Sequence, residues 1–382
     1  MHVPFHRPYI TDDELNAVAD SIRNGWLTMG KKTFDFENNF GSYVGSKYSV
    51  AVNSCTAAMH LALKCFNIQP DDEVIIPAVT FTATADVPRF FGAKVVMTDV
   101  EKDTHLMSVE SFEKAITKKT KAVIPVHYAG QPCDMDEIMA ISRKHGIAVI
   151  EDAAHSLPSR YKGKLVGSIG DITCFSFYAT KTLTTGEGGM ATTENPEWDN
   201  TMRILRLHGI SRDAWKRYSK EGTWEYDVID AGYKYNTTDI NSAMGLEQLK
   251  KIDSLTLKRK NIAEKYDNAF KNDKSLILYK IKPDRETAYH LYPLKLNIES
   301  LKIGRNEFYS ELKKREIDTS VHFIPVYRFS YYAGLGFKIS DYPDSEWIFE
   351  RNISLPIFPG MKDEEINYVI ENVLDILSKN RR

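Results

Sequence analysis

Gly146-Ile-Ala-Val-Ile-Glu-Asp-Ala-Ala-His155 carries a four-residue apolar run that stops on two carboxylates, with a histidine three residues beyond the second. Short, unbroken apolar runs are what strands buried on both faces look like, because neither face meets water. Glu73-Val-Ile-Ile76, Lys94-Val-Val-Met97 and Ala122-Val-Ile-Pro-Val126 repeat the pattern, and helical or loop stretches separate them. Strands alternating with helical crossovers predict an α/β fold with a mostly parallel sheet flanked by helices. Ligands of open α/β sheets bind at the C-terminal edge of the strands. Glu151 and Asp152 sit at such an edge, where a carboxylate is costly without a cationic partner. That partner could be a bound cation, a metal or a protonated ring nitrogen. His155 could orient a phenolic oxygen or act as an acid–base group.

Further along lies Phe175-Ser-Phe-Tyr-Ala-Thr-Lys181-Thr-Leu-Thr-Thr-Gly-Glu-Gly-Gly189. Ile172 to Phe177 alternates apolar and small polar residues and reads as a strand. The glycine cluster cannot be helix interior, and Gly189-Met-Ala-Thr-Thr193 returns to strand-like residues. Lys181 is therefore expected on a tight loop between two strands. Desolvation there would lower its pKa and free the amine as a nucleophile toward a carbonyl.

Upstream, the strand Tyr48-Ser-Val-Ala-Val52 runs through Asn53-Ser-Cys-Thr56 into a helix beginning near Ala57. A strand, a small-polar turn and a helix start make an anion site, to which Thr56 adds a hydroxyl. Pro77-Ala-Val-Thr-Phe-Thr-Ala-Thr84 places Phe81 beyond the end of the second strand. Thr11 is an expected N-cap for a helix starting Asp12-Asp-Glu-Leu. Thr237 or Thr238 is expected to cap a long helix that runs to about Asn272. Arg203 to Glu225 is basic and aromatic with few strand signals.

The chain's 382 residues suffice for two domains, expected at 1–250 and 251–382, the second a smaller α+β unit. Its last helix places Ile366, Val369, Ile370, Val373 and Leu377 on one face. Apolar content of 42% and a net charge of -2 point to a soluble protein without nucleic acid or an anionic membrane as partner. No apolar run reaches the length of a membrane span, and Met1 to Pro8 has no secretory core. The four cysteines have neither zinc nor redox spacing and read as reduced thiols, which fits a cytoplasmic protein.

An anion-binding helix start, an aromatic residue, a carboxylate with a histidine and a loop lysine are together the parts that hold pyridoxal phosphate. With Gly25-Trp-Leu-Thr-Met-Gly30, Gly232-Tyr-Lys-Tyr-Asn236 and Leu355-Pro-Ile-Phe-Pro-Gly360, they make the chain resemble the DegT/DnrJ/EryC1/StrS nucleotide-sugar aminotransferases over nearly its whole length. That resemblance implies the fold type I aminotransferase architecture and a homodimer with active sites at the interface. It implies a Schiff base between Lys181 and the cofactor, with Lys181 as proton shuttle. It gives Asp152 the pyridinium nitrogen, His155 the ring hydroxyl and Phe81 the stacking face. Cys55 through its main chain, Thr56 and Ser176 match the phosphate cradle, although position 55 is usually glycine or alanine. Lys234 or Asn236 would reach the partner's cofactor phosphate, in a loop more often written Gly-Tyr-Asn-Tyr-Arg. Thr28, Tyr178 and His322 are the candidates for sugar contacts, although Tyr327 stands where a second histidine is usual.

The implied reaction moves the amino group of glutamate to C4 of a keto nucleotide sugar. The Lys-Tyr-Asn variant of the loop, Val126-His-Tyr-Ala-Gly130 and Tyr161 to Gly167 look closest to the branch that makes UDP-4-amino-4-deoxy-arabinose for lipid A. Other relatives aminate 4-keto-6-deoxyhexoses. A related sugar dehydratase would carry histidine in place of Lys181. A non-catalytic regulatory protein on the same scaffold would not need the Lys181, Asp152 and His155 set.

Overall fold

The computed structural model describes residues 1–211 and 225–382; most of the basic, aromatic middle stretch lies outside the described residues. The seven-stranded sheet comprises β1 (Tyr48–Val52), β2 (Glu73–Pro77), β3 (Lys94–Thr98), β4 (Thr120–Val123), β5 (Ala148–Asp152), β6 (Ile172–Ser176) and β7 (Gly189–Thr193). In space they run β1-β7-β6-β5-β4-β2-β3. The pairs β2–β3, β2–β4, β4–β5 and β5–β6 are parallel, and β7 alone runs against its neighbours. The apolar runs are buried on both faces, as their unbroken pattern requires. β4 stops at Val123 rather than Val126, because Pro125 has no N–H to extend the ladder.

Local signals set the helices. Thr11 caps α1 (Asp12–Arg23) in a capping box, and Glu14 returns the bond by accepting the Thr11 N–H at 2.8 Å. α2 (Lys31–Val44) has no side-chain cap of its own. Asp239 supplies one from far along the chain, accepting the N–H groups of Gly30 at 2.7 Å and Thr33 at 3.0 Å. α3 (Cys55–Cys65) starts two residues before the expected Ala57, with Ser54 as its cap. α3 packs Ala58, Leu61 and Ala62 against Val50, Ile150 and Ala191 of the sheet. α4 (Thr82–Arg89) follows β2.

The long helix Asp239–Phe270, capped by Thr238, spans two cores. Leu249 and Ile252 pack with Phe36, Phe40 and Phe177 beside the large sheet. Ile262, Tyr266 and Phe270 pack on a second, antiparallel sheet of β8 (Leu276–Leu278), β9 (Tyr292–Leu296) and β10 (Asn352–Leu355). The C-terminal helix Asp363–Asn380 covers that core with Ile366, Val369, Val373 and Leu377. The N-terminus belongs to this second core as well: Val3 bridges Ile317 and is fully buried. Among the described residues no helix is long and apolar enough to cross a membrane.

Candidate active site

A cavity of about 500 Å³ lies at the C-terminal edge of the large sheet, between the two cores. Nine of the residues singled out from the sequence line it: Cys55, Thr56, Phe81, Asp152, His155, Ser176, Tyr178, Lys181 and His322. Thr28, Lys234 and Asn236 do not line this chain's cavity. Thr28 offers its carbonyl to the Asp239 N–H at 3.1 Å. The side chain of Asn236 turns back onto the Thr237 carbonyl at 3.0 Å, and Lys234 is exposed.

The pleat of β5 separates the two carboxylates. Glu151 points away from the cavity and is fully buried. It accepts bonds from His127 Nε2 at 2.9 Å, Thr173 Oγ1 at 2.6 Å and the Gly170 N–H at 2.7 Å. Burial works against its charge, yet these donors hold its carboxyl below the usual range. Asp152 points into the cavity. Its Oδ2 accepts from Thr84 Oγ1 at 2.8 Å and its Oδ1 from the Ala154 N–H at 3.1 Å. Burial pushes Asp152 up, against the pull of the Thr84 hydroxyl and the Ala154 N–H. Thr84 spends its one hydroxyl hydrogen on Asp152, so in the 2.7 Å contact between Thr80 and Thr84 it is Thr80 that donates.

Lys181 stands on the loop between β6 and β7. Burial brings its ammonium down to about 8, partly offset by the charge of Asp152. A fraction of the side chain is therefore free amine at neutral pH, ready to attack a carbonyl. The Ala129 N–H donates to His155 Nδ1 at 3.3 Å, which leaves the proton of the neutral ring on Nε2. Burial, then the charge of Lys181, holds His155 neutral. His155 is thus a hydrogen-bond donor rather than a cation.

At the start of α3, Ser54 Oγ accepts the Ala57 N–H at 3.1 Å and the Ser54 carbonyl accepts that of Ala58. The N–H groups of Cys55 and Thr56 lie in the first helical turn, which has no acceptor within the helix. The Cys55 thiol turns away to the Cys174 carbonyl at 3.4 Å, so the backbone is what Cys55 offers. β7 comes close enough here to require glycine: a Cβ on Gly189 would stand 2.5 Å from the Ser54 carbonyl carbon. Phe81 is 61% exposed although its ring lies at the cavity, 6.1 Å from that of Phe323. Such exposure suits an aromatic face that covers a ligand ring.

This donor set fits pyridoxal phosphate: N–H groups and hydroxyls for a phosphate, a buried carboxylate for a protonated ring nitrogen, an N–H for a ring hydroxyl, and an amine for the aldehyde. Among the described residues no group of three or more His, Cys, Asp or Glu is arranged to hold a metal ion.

The profile of the DegT/DnrJ/EryC1/StrS aminotransferase family matches residues 8–374. The chain belongs to that family. It is 52% identical to the uncharacterized protein MJ1066 of Methanocaldococcus jannaschii, over 99% of this chain and 98% of that one. It is 45% identical to the spore coat polysaccharide biosynthesis protein SpsC of Bacillus subtilis, over 98% of this chain and 97% of that one. The putative sugar aminotransferase Spr1654 of Streptococcus pneumoniae superposes at a TM-score of 0.94 with 38% identity, over 99% of this chain and the whole of that one. Spr1654 has been solved in pyridoxal- and pyridoxamine-phosphate forms.

In this aminotransferase several lining residues carry no signal in the sequence reading. Thr80 lies at the cavity just before Phe81, and Thr84 stands behind it as the donor to Asp152; both look like ordinary polar residues near a helix start. His290 stands two residues ahead of β9 and belongs to no motif. Phe5 and His6 come from the N-terminal segment, which Val3 anchors in the second core while Phe5 packs beside the large sheet. The proline at Pro4 and the apolar Val3 and Phe5 were the available hints of a docked segment.

Proposed function

We propose that the protein is a homodimeric, cytoplasmic transaminase that moves the amino group of glutamate to C4 of a 4-keto nucleotide sugar, a pentose or a 6-deoxyhexose. The observation that carries the reading is Lys181 with a lowered pKa and Asp152 buried in one cavity. The sugar assignment leans on the kinship with a polysaccharide biosynthesis protein and a sugar aminotransferase.

Pyridoxal phosphate, when bound, supplies an electron sink conjugated to the substrate nitrogen. The chain's own residues do the rest. Asp152, fixed by Thr84, keeps the proton on the ring nitrogen. His155 Nε2–H donates to the ring hydroxyl. Cys55 and Thr56 N–H groups and the Ser176 hydroxyl bind the phosphate, and Phe81 covers the ring. With the cofactor bound, Lys181 would be the group that takes the proton from the substrate carbon and delivers it to the carbon on the far side of the substrate nitrogen. A lysine near pKa 8 can both accept and give a proton at neutral pH. Lys234, which is exposed, or Asn236 would reach the cofactor phosphate of a second subunit.

Loaded protein treated with glutamate should lose its visible cofactor band. That band should return on adding a 4-keto sugar nucleotide. Return with UDP-4-keto-pentose alone would assign amino-pentose synthesis, and return with a UDP- or dTDP-4-keto-6-deoxyhexose alone would assign amino-deoxyhexose synthesis. A band indifferent to glutamate, or one that no keto sugar restores, overturns the proposal.

A further inference from the structure

Three histidines besides His155 line the cavity: His6, His290 and His322. His322 is engaged, with Nδ1 2.9 Å from Ser354 Oγ and the Phe5 ring stacked on it at 5.6 Å. The other two each leave a ring nitrogen open. His6 Nε2 and His290 Nδ1 are buried with no hydrogen-bond partner. Behind them lies Arg259 of the long helix, 1% exposed. Its guanidinium donates to two carbonyls, Ile357 at 2.7 Å and His290 at 3.4 Å, and its Nε has no partner. Among the described residues no carboxylate pairs with it. Burial lowers the Arg259 pKa to about 9, which leaves it a cation at neutral pH.

An unpaired buried cation and two open imidazole nitrogens are costly unless a ligand completes them. An anion in the cavity would complete the two imidazole nitrogens, with the Arg259 charge close behind them. The chemistry of transamination states which one. The carbon that bears the donor's amino group must come within bonding reach of the site of the Lys181 nitrogen, and its carboxylate is one bond further on. His6 lies beside the Ala179 carbonyl, two residues before Lys181, and both His6 and His290 sense the charges of Lys181 and Arg259.

We propose that His6 and His290, over the buried Arg259 guanidinium, form the subsite for the α-carboxylate of the amino donor. This rests on the transaminase reading above, and the test separates the two. Each half-reaction is followed by the cofactor spectrum. Glutamate and alanine are compared with 4-aminobutyrate and ethylamine, which are the same donors without the α-carboxylate. In His6→Ala the half-reaction efficiency with the better amino acid should fall about tenfold, the loss expected for a charge-assisted hydrogen bond. Efficiency with its decarboxylated partner should stay put, and His6→Gln should recover most of the difference. The dissociation constant of maleate for the loaded protein, read by calorimetry, should rise about tenfold in His6→Ala. The keto-sugar half-reaction of the pyridoxamine-phosphate form should change less than about twofold. If His6→Ala fails to fold, His6→Leu keeps the bulk and carries the same comparison. An equal loss with and without the carboxylate, unchanged maleate affinity, or a larger loss with the keto sugar overturns the proposal. A wild-type protein that reacts with no amino donor overturns the transaminase reading instead, and the subsite with it.

Discussion

The two walls of the cavity are built on opposite terms. One wall comes from the ends of β5 and β6 and the starts of α3 and α4, and its polar side chains are held in place. Asp152 has Thr84 and the Ala154 N–H, and His155 has the Ala129 N–H. The other wall comes from the N-terminal segment and the approaches to β9 and β10, and His6 and His290 leave buried nitrogens open there. The difference teaches what each wall has to do. A wall that grips one cofactor through every cycle gains from fixed, satisfied dipoles. On the proposal above, the other wall has to leave bonds open for the carboxylate of the amino donor to complete.

The largest effect should come from breaking the first wall at its nucleophile. Lys181→Ala should keep the fold and still take up pyridoxamine phosphate, because the helix start, Asp152 and His155 remain. Steady-state turnover should fall by at least about 10⁴-fold, since both the covalent hold and the proton carrier are gone. Near-normal turnover would remove Lys181 from the chemistry.

Next in size is a test on adjacent residues of one strand. Asp152→Ala should cut turnover by about 10²–10⁴-fold with a smaller effect on folding, because it unpairs the ring nitrogen and relieves a carboxylate that burial disfavours. Glu151→Gln should do the reverse. The Cys133 N–H donates to His127 Nδ1 at 3.1 Å, so His127 Nε2 carries a hydrogen and donates to Glu151. A glutamine there meets it either with an amide NH₂ or with a weaker acceptor while losing the Gly170 and Thr173 bonds. Denaturant unfolding should show a loss of about 2–4 kcal/mol, with turnover of the folded fraction within a few-fold. If Glu151→Gln lost more turnover than Asp152→Ala, the assignment of the two faces of β5 would be wrong.

The first wall was legible in the sequence because its residues share a rule. Strands of a parallel sheet end on one edge, so Asp152, Ser176 and the helix start after β1 had to meet once the strands were read. A cap at Thr237 or Thr238 was readable for a similarly local reason, and Thr238 is the one that caps. Where the reading fell short, the cause was an interaction between distant segments. Asp239 looks like a first-turn acid of its own helix and in fact caps α2. Thr84 looks like any polar residue near a helix start, and only the fold brings it to Asp152. His6 reaches the cavity, within range of the Arg259 charge, because the N-terminus joins the second core, and nothing in the spacing of either residue announces that.

The smallest effect reads the second wall through acid. Burial holds His6 at about 4 and His322 at about 3, with His155 and His290 also well below the ordinary value of 6.5. In the unfolded chain these rings take up protons near pH 6.5, whereas in the folded protein they do not until much lower pH. The unfolded state thus binds more protons between about pH 6.5 and 4, and stability must fall as pH falls through that window. Unfolding of the cofactor-free protein should lose on the order of 1 kcal/mol per pH unit for each such ring between about pH 6 and 4.5, before most carboxylates titrate. His322→Asn removes one of the titrating rings and should flatten that slope, and a wild-type stability flat across the window would show that the wall already accepts protons. An anion seated on His6 and His290 would favour their charged forms and draw their folded pKa values back up. Saturating maleate should therefore flatten the same slope in the wild type, and do so less in His6→Ala, which joins the acid response of the open wall to the ligand it is proposed to hold.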